Sequence, residues 1–392
     1  MYKKIFSTTI LNVLTAAVNF LSSYLIVKTL SLDVFGEFAI FSSYLAFGGL
    51  IYAVIPSNFS IFKLQDEQEY KVKLLVFFML SSILFLFFVF FMSGLGFITI
   101  DVLTIYLFGI STFLLGYFDI KFQASGRLNR YFSMLFMIAL LKICTLGLFY
   151  YMNHLNSLSD LLWTMTIVQL AVIFFYAFED RKEIKFILKN RKVFSETLFF
   201  IKSNFTVFKP YYLNTFLKKL RENVIILVFS KFNPVSVIGL FSIFVKITSF
   251  VLGLSRTLEA FFMNRENIKN YKETFYQKII YFTIFIQLLF LIVGSFYLKL
   301  FSGEFYFFQI FILSFLAYPH IYFLLARSEM LSNYNNREVN FSELIFILII
   351  LLGAIVGLFF DLKSLHSILF SFIFANLGLQ FYMIYRRKVI YD

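Results

Sequence analysis

Long apolar runs, separated by short polar segments, follow one another along the chain. A helix needs about 20 apolar residues to cross about 30 Å of hydrocarbon, and runs of roughly that length recur throughout. The pattern predicts about twelve membrane-spanning helices, six in each half. The predicted spans are Ile5–Val27, Phe38–Phe62, Leu74–Ile100, Val102–Phe118, Tyr131–Met152, Leu161–Phe178, Phe199–Phe229, Val235–Met263, Ile279–Leu298, Phe305–Ala326, Leu344–Phe360 and Ser364–Tyr385.

The composition agrees with this interpretation. Hydrophobic residues make up 60% of the 392-residue chain, charged residues make up 15%, and mean hydropathy is +0.83. A soluble fold could not bury so much apolar surface, so lipid must be the main solvent of this chain. The sequence therefore predicts an all-α polytopic membrane protein.

The positions of the basic residues predict the orientation. The net charge of +13 comes from 35 Lys and Arg against 22 Asp and Glu. With a cytoplasmic amino end, 23 basic residues fall on the cytoplasmic side, which is the distribution that the positive-inside rule requires. Only four face the other side: Lys28, Lys231, Lys299 and Lys363. Both termini are therefore predicted to be cytoplasmic, the expected partners include membrane lipids, and the excess of base requires no nucleic acid.

An internal repeat predicts two similar halves. The segment Gly36–Phe41 reads GEFAIF, and Gly239–Phe244, 203 positions later, reads GLFSIF. A polar, basic segment, Glu179–Glu196, lies between the halves, so the predicted bundles are residues 1–190 and 191–392. Six spans per repeat give both halves the same orientation, related by a pseudo-two-fold axis along the membrane normal. This arrangement is typical of transporters and predicts a central cavity between the two bundles.

The first predicted span carries a polar stripe. Asn12, Thr15 and Asn19 recur at steps of three and four, which places them on one face of a helix. Such a face either lines a hydrated cavity or hydrogen-bonds to a neighbouring helix, as Ser, Thr and Asn commonly do in membranes. Both interpretations stay open at this point.

Basic residues inside the predicted spans are the main candidates for function. A charge at the centre of a membrane helix costs at least about 2.5 kcal/mol, so these residues usually face water or a partner. We expect them to line a cationic cavity that binds an anionic head group; the alternative is that their long stems reach the interface. The predicted substrate-binding residues are Lys142, Lys209, Lys219, Arg221, Lys246 and Arg256.

The sequence shows no arrangement of residues that indicates an enzyme. The sequence lacks a G-x-x-x-x-G-K-[ST] phosphate loop, Cys144 is the single cysteine, and the three histidines are far apart in the sequence. We therefore predict no catalytic residues, no bound metal and no cofactor. Acids inside predicted spans, such as Asp119, Glu259 and Glu343, leave coupling to Na⁺ or H⁺ open.

Three short segments carry a resemblance to a known family. They are Leu30–Phe38, between the first two predicted helices, its counterpart Pro234–Phe244 in the second half, and the turn Gln123–Arg127. Together with twelve spans in two halves, they resemble flippases of the Wzx type, which transport O-antigen and other polysaccharide precursors. These flippases are members of the MOP (multidrug/oligosaccharidyl-lipid/polysaccharide) exporter superfamily. The chain departs from the family in having shorter loops than is usual.

The resemblance implies a MATE-like fold and a function. It implies that the chain flips undecaprenyl-pyrophosphate-linked oligosaccharide repeat units, for O-antigen of lipopolysaccharide or for capsule, to the periplasmic face of the bacterial inner membrane. Association with polysaccharide polymerase machinery stays open. The alternatives are a membrane polysaccharide polymerase or ligase, which would usually have a large periplasmic loop, and a multidrug antiporter, which would favour acidic residues in its cavity.

Overall fold

The computed structural model is helical throughout its regular secondary structure. It describes residues 2–55, 60, 64, 70–95, 100–125, 127–152, 157–190, 192–253, 281, 283–285, 287–300, 306–332, 336–360 and 365–391. Within them the α-helices are α1 (Tyr2–Leu30), α2 (Leu32–Gly48), α3 (Tyr70–Gly94), α4 (Val102–Ala124), α5 (Leu128–Tyr151), α6 (Leu158–Ala177), α7 (Arg181–Lys189), α8 (Lys192–Phe229), α9 (Val235–Gly253), α10 (Thr283–Leu300), α11 (Phe307–Ser314), α12 (Ala317–Ser332), α13 (Asn336–Phe359) and α14 (Leu365–Tyr391). Short 3₁₀ turns follow α2 and α6, at Gly49–Ala53 and Phe178–Asp180.

Eight helical stretches in this part of the chain are long and apolar enough to cross a membrane. They comprise α2 with its 3₁₀ turn, α3, α4, α5, α6 continuing into α7, α10, α13 and α14. Shorter apolar stretches lie in α1 and α9, at Leu14–Leu30 and Val235–Thr248. The prediction of an all-α polytopic membrane protein is confirmed.

The chain divides into two compact units. Unit 1 contains Met1–Leu30 and Tyr44–Phe216, and unit 2 contains Ser31–Ser43 and Leu217–Asp392. The boundary between the units lies within α8, between Phe216 and Leu217. The sequence predicts the boundary between two six-helix bundles at 190/191. The division into six-helix bundles stays a prediction.

Two local features differ from the expected pattern. The segment after Leu30 is helical from Leu32 onward, and the connection between α1 and α2 is the single residue Ser31, with a φ of 98°. The predicted span Phe305–Ala326 is divided between α11 and α12. The cause is Pro319, because its ring has no N–H to donate to the carbonyl four residues earlier and collides with it.

Phenylalanines fill the interior of unit 1 where glycines leave room. Phe85 is fully buried, and a Cβ at Gly48 or Gly109 would lie within 3.0 Å of its ring. Tyr52 packs beside it, with a ring centroid 4.7 Å from that of Phe113. The Phe85 ring can therefore pack here only because Gly48 and Gly109 have no side chain.

In unit 2 the two copies of the repeated motif pack against each other. A Cβ at Gly36 of α2 would lie 2.9 Å from Val235 Cγ1, and a Cβ at Gly239 of α9 would lie 3.2 Å from the Gly36 nitrogen. Real Cβ contacts are almost never as short as the first of these. The glycines therefore allow the α2 and α9 backbones to approach closely, and the repeat that the sequence shows is also a structural contact.

Candidate functional site

Lys142 of α5 forms a hydrogen bond to α1 in unit 1. Its Nζ donates a hydrogen bond to Asn19 Oδ1 at 2.6 Å. It lies nine residues before the end of α5 at Tyr151, which places it about 13 Å from that end at 1.5 Å per residue. Within the part of the chain that the structure describes, its hydrogen-bond partner is this neutral amide. A positive charge at this depth with a neutral partner is costly unless water or an anion compensates it.

The polar residues of the α1 stripe differ in their hydrogen-bond partners. Thr15 Oγ1 donates to the backbone oxygen of Leu11 at 2.7 Å, so its own helix satisfies the hydroxyl. Asn19 reaches across to α5 instead. Asn12 lies on α1, but its side chain is outside the described residues. Of Thr15 and Asn19, whose side chains the structure describes, Asn19 is the one that bonds to a candidate cation.

In unit 2, Arg221 of α8 forms an ion pair with Glu343 of α13. Arg221 Nη1 lies 3.1 Å from Glu343 Oε2 and donates to Oε1 at 3.3 Å. The Glu343 side chain is 1% exposed. Glu222 lies 3.9 Å from Arg221 and 4.0 Å from Lys219. The sequence shows no acid three or four residues from Arg221 on its own helix, whereas the structure supplies Glu343, 122 residues later.

The remaining predicted cations have different surroundings. The Nζ of Lys246, on α9, lies 4.4 Å from the ring centroid of the buried Phe35, a cation–π geometry. The glycine contact between α2 and α9 allows this approach. Lys209 lies on α8 in unit 1 and is exposed. Arg256 is outside the described residues.

The predicted cations are thus distributed over both units. Lys142 and Lys209 belong to unit 1, and Lys219, Arg221 and Lys246 belong to unit 2. Lys142 has a neutral partner in Asn19, while Arg221 has a buried carboxylate. Binding of a substrate by any of these residues, and the central cavity, stay predictions.

Two acidic residues of the 3₁₀ turn after α6 join four helices at one end of unit 1, an arrangement that the sequence did not reveal. Asp180, 1% exposed, lies 2.7 Å from Lys71 Nζ and 2.9 Å from Lys121 Nζ, and it accepts a hydrogen bond from Tyr117. The preceding residue, Glu179, accepts from Arg130 at 2.8 Å. The starts of α3 and α5 and the ends of α4 and α6 are tied together by these contacts.

Unit 2 has the corresponding network with its charges reversed. Glu338 of α13 accepts from Arg386 at 2.7 and 2.8 Å, and Glu329 of α12 accepts from Arg387 at 2.7 Å. Glu329 and Glu338 lie 208 positions after Lys121 and Arg130, and Arg386 and Arg387 lie 207 positions after Glu179 and Asp180. These offsets are four or five residues longer than the 203 of the repeated motif, and acid and base are exchanged, so a search for matching residues at that offset does not find the pairs.

Comparisons with known proteins identify the fold. No family model matches the chain, and no curated protein matches it either. Several solved structures match the chain. An inward-facing multidrug resistance MATE family transporter of the MOP superfamily gives a TM-score of 0.64 at 12% identity, covering 97% of this chain and 94% of that one. A mutant of the Vibrio cholerae MATE transporter VcmN gives 0.62 at 12% identity, covering 99% and 96%.

A third neighbour comes from Pyrococcus furiosus. It is described as a MOP superfamily transporter in which reverse polarity of the binding pocket suggests a different function, and it gives a TM-score of 0.57 at 11% identity over 98% of this chain and 94% of that one. Identities this low show the fold alone. The chain therefore has the fold of the MATE transporters of the MOP superfamily.

Proposed function

We propose that this chain is a membrane transporter of the MOP superfamily that flips undecaprenyl-pyrophosphate-linked oligosaccharide repeat units across the bacterial inner membrane. The observation that carries the proposal is the pairing of Lys142 with Asn19, in which a cation near the middle of an apolar helix is held by a neutral amide. The resemblance to Wzx-type flippases supplies the identity of the substrate.

The chemistry of Lys142 suits a pyrophosphate. An ammonium group has three N–H donors, and Asn19 Oδ1 accepts one of them. The remaining donors can bind phosphate oxygens, and a low-dielectric surrounding strengthens this attraction. Asn19 orients the ammonium without cancelling its charge, which an acidic partner would do. An organic cation, in contrast, would be repelled.

Multidrug export is the second candidate function, because two of the structural neighbours are described as multidrug or MATE transporters. An exporter of cationic drugs needs acidic residues that are free to bind them. The buried acid Glu343 is paired with Arg221, so its charge is already compensated. The Pyrococcus neighbour is evidence that the polarity of the pocket varies between transporters of this fold.

Replacement of Lys142 distinguishes the two functions. In a deletion strain complemented with Lys142→Met, we expect loss of surface polysaccharide with normal amounts of folded protein in the membrane, whereas Lys142→Arg should retain part of the export. The matched control is Lys202→Met, because Lys202 is an exposed lysine on α8. Full export by Lys142→Met would contradict flipping by this route. Drug efflux that depends on the transporter and is unchanged by Lys142→Met would support the second function.

Lys209 and Lys246 are tested as a pair. Neutral replacement of both is expected to stop export while leaving folded protein in the membrane, since the sequence predicts that both bind the substrate. Wild-type export by the double variant would remove them from the proposed site.

A further inference from the structure

The acidic residues of α7 and of the 3₁₀ turn before it are paired with basic residues of unit 1, and the exposed Glu179 accepts a hydrogen bond from Arg130. Asp180 is bound by Lys71 and Lys121, and Glu183 contacts Lys71 at 2.5 Å. Ile187 lies on the same side and is 1% exposed, packed in the core cluster that includes α3. The negative charges of this segment are thus neutralised within unit 1.

The other side of this segment is basic and aromatic. At 100° per residue, the basic residues of α7 and Phe186 fall within an arc of about 140° that excludes Glu183 and Ile187. Phe178 and Phe186 are 66% and 51% exposed, and the Arg181 guanidinium lies 4.8 Å above the Phe178 ring. We call these exposed residues the basic face; they are Phe178, Arg181, Lys182, Lys185, Phe186 and Lys189.

We propose that the basic face binds the anionic head groups of membrane lipids. α7 directly continues the apolar span that begins at Leu158, and α8 begins three residues after it ends, so the basic face lies at the end of a membrane span. Lys and Arg at this depth attract anionic lipids, while phenylalanines insert at the boundary with the acyl chains. An acidic protein would match the charges, but it would leave the two exposed phenylalanines without an apolar partner.

Fluorescence quenching in nanodiscs tests this proposal on the full chain. Trp163 is the single tryptophan, so Trp163→Phe combined with Phe186→Trp places one indole on the basic face. The protein is reconstituted in phosphatidylcholine containing equal small fractions of brominated phosphatidylglycerol or brominated phosphatidylcholine. We expect brominated phosphatidylglycerol to quench the indole more strongly, and the difference to vanish at 1 M salt.

Removal of the charges identifies the cause. Lys182→Gln, Lys185→Gln and Lys189→Gln together are expected to lower the preference for phosphatidylglycerol about tenfold or more, since each basic residue near the surface contributes severalfold. The matched control removes three charges elsewhere, with Lys28→Gln, Lys231→Gln and Lys299→Gln, and should keep the preference. Equal quenching by the two brominated lipids, or a preference that survives the α7 replacements, would overturn the proposal.

Discussion

Replacement of Gly36 by alanine forces α2 and α9 apart. The nearest atom to the new Cβ would be the carbonyl oxygen of Val235, which it would overlap, and the Cβ would also lie 2.9 Å from Val235 Cγ1 and 3.0 Å from the Val235 carbonyl carbon. Carbon atoms pack at about 3.5–4.0 Å, and the overlap with the carbonyl oxygen is larger than that with either carbon, so the helices must separate by about 1 Å or more. Overpacking of this kind costs about 1–3 kcal/mol, of which alanine returns up to about 1 kcal/mol through its better helix propensity. The net expectation is a loss of about 1–2 kcal/mol.

Thermal unfolding of the purified protein in detergent measures this loss. The control is Gly116→Ala on α4, where the new Cβ meets no atom within 4 Å and the expected change is a small stabilisation. The double variant Gly36→Ala with Gly239→Ala should lose less than the sum of the single losses, because one separation of the helices relieves both contacts. A Gly36→Ala protein as stable as the Gly116→Ala protein would refute the reasoning.

The ion pairs of the two units yield two further predictions. Asp180→Asn should destabilise the protein by about 1.5–3 kcal/mol in detergent unfolding, because it removes the buried carboxylate that Lys71 and Lys121 share and leaves them only the more exposed Glu183 and Glu179. Exchanging the charges with Lys121→Glu and Asp180→Lys should recover part of this loss, as the reversed order in unit 2 suggests, and no recovery would contradict that suggestion. Arg221→Met should destabilise by about 3–5 kcal/mol because it strands the Glu343 carboxylate, and adding Glu343→Leu should restore most of the loss. A stable Arg221→Met single variant would show that the pair is not structural.

Hydropathy predicted where α13 and α14 lie, but not where these helices end. The apolar runs Leu344–Phe360 and Ser364–Tyr385 correspond to α13 and α14, which extend to Asn336 and Tyr391. The extensions carry Glu338 and Arg386, which are excluded from an apolar run but pair with each other there. A helix keeps its backbone hydrogen bonds beyond the hydrocarbon, whereas a hydropathy pattern ends at the first charges.

Contacts between residues far apart in the chain could not be predicted from the sequence. The acid that binds Arg221 lies 122 residues later on another helix, and the partner of Lys142 lies 123 residues earlier. Periodicity placed Asn19 on a polar face, but it left open whether that face meets water or a helix. The choice depends on which helices are neighbours, and that is set by the packing of bulky and small residues along their whole length.

The location of lipid-linked sugars in a deletion strain tests the proposed function most directly. The measurement asks on which face of the inner membrane undecaprenyl-pyrophosphate repeat units accumulate when the protein is absent, using a reagent that reaches only the periplasmic face. The proposal predicts single repeat units trapped on the cytoplasmic face, released by the wild-type gene and not by Lys142→Met. Single units accumulating on the periplasmic face would contradict flipping and indicate a polymerase or ligase instead.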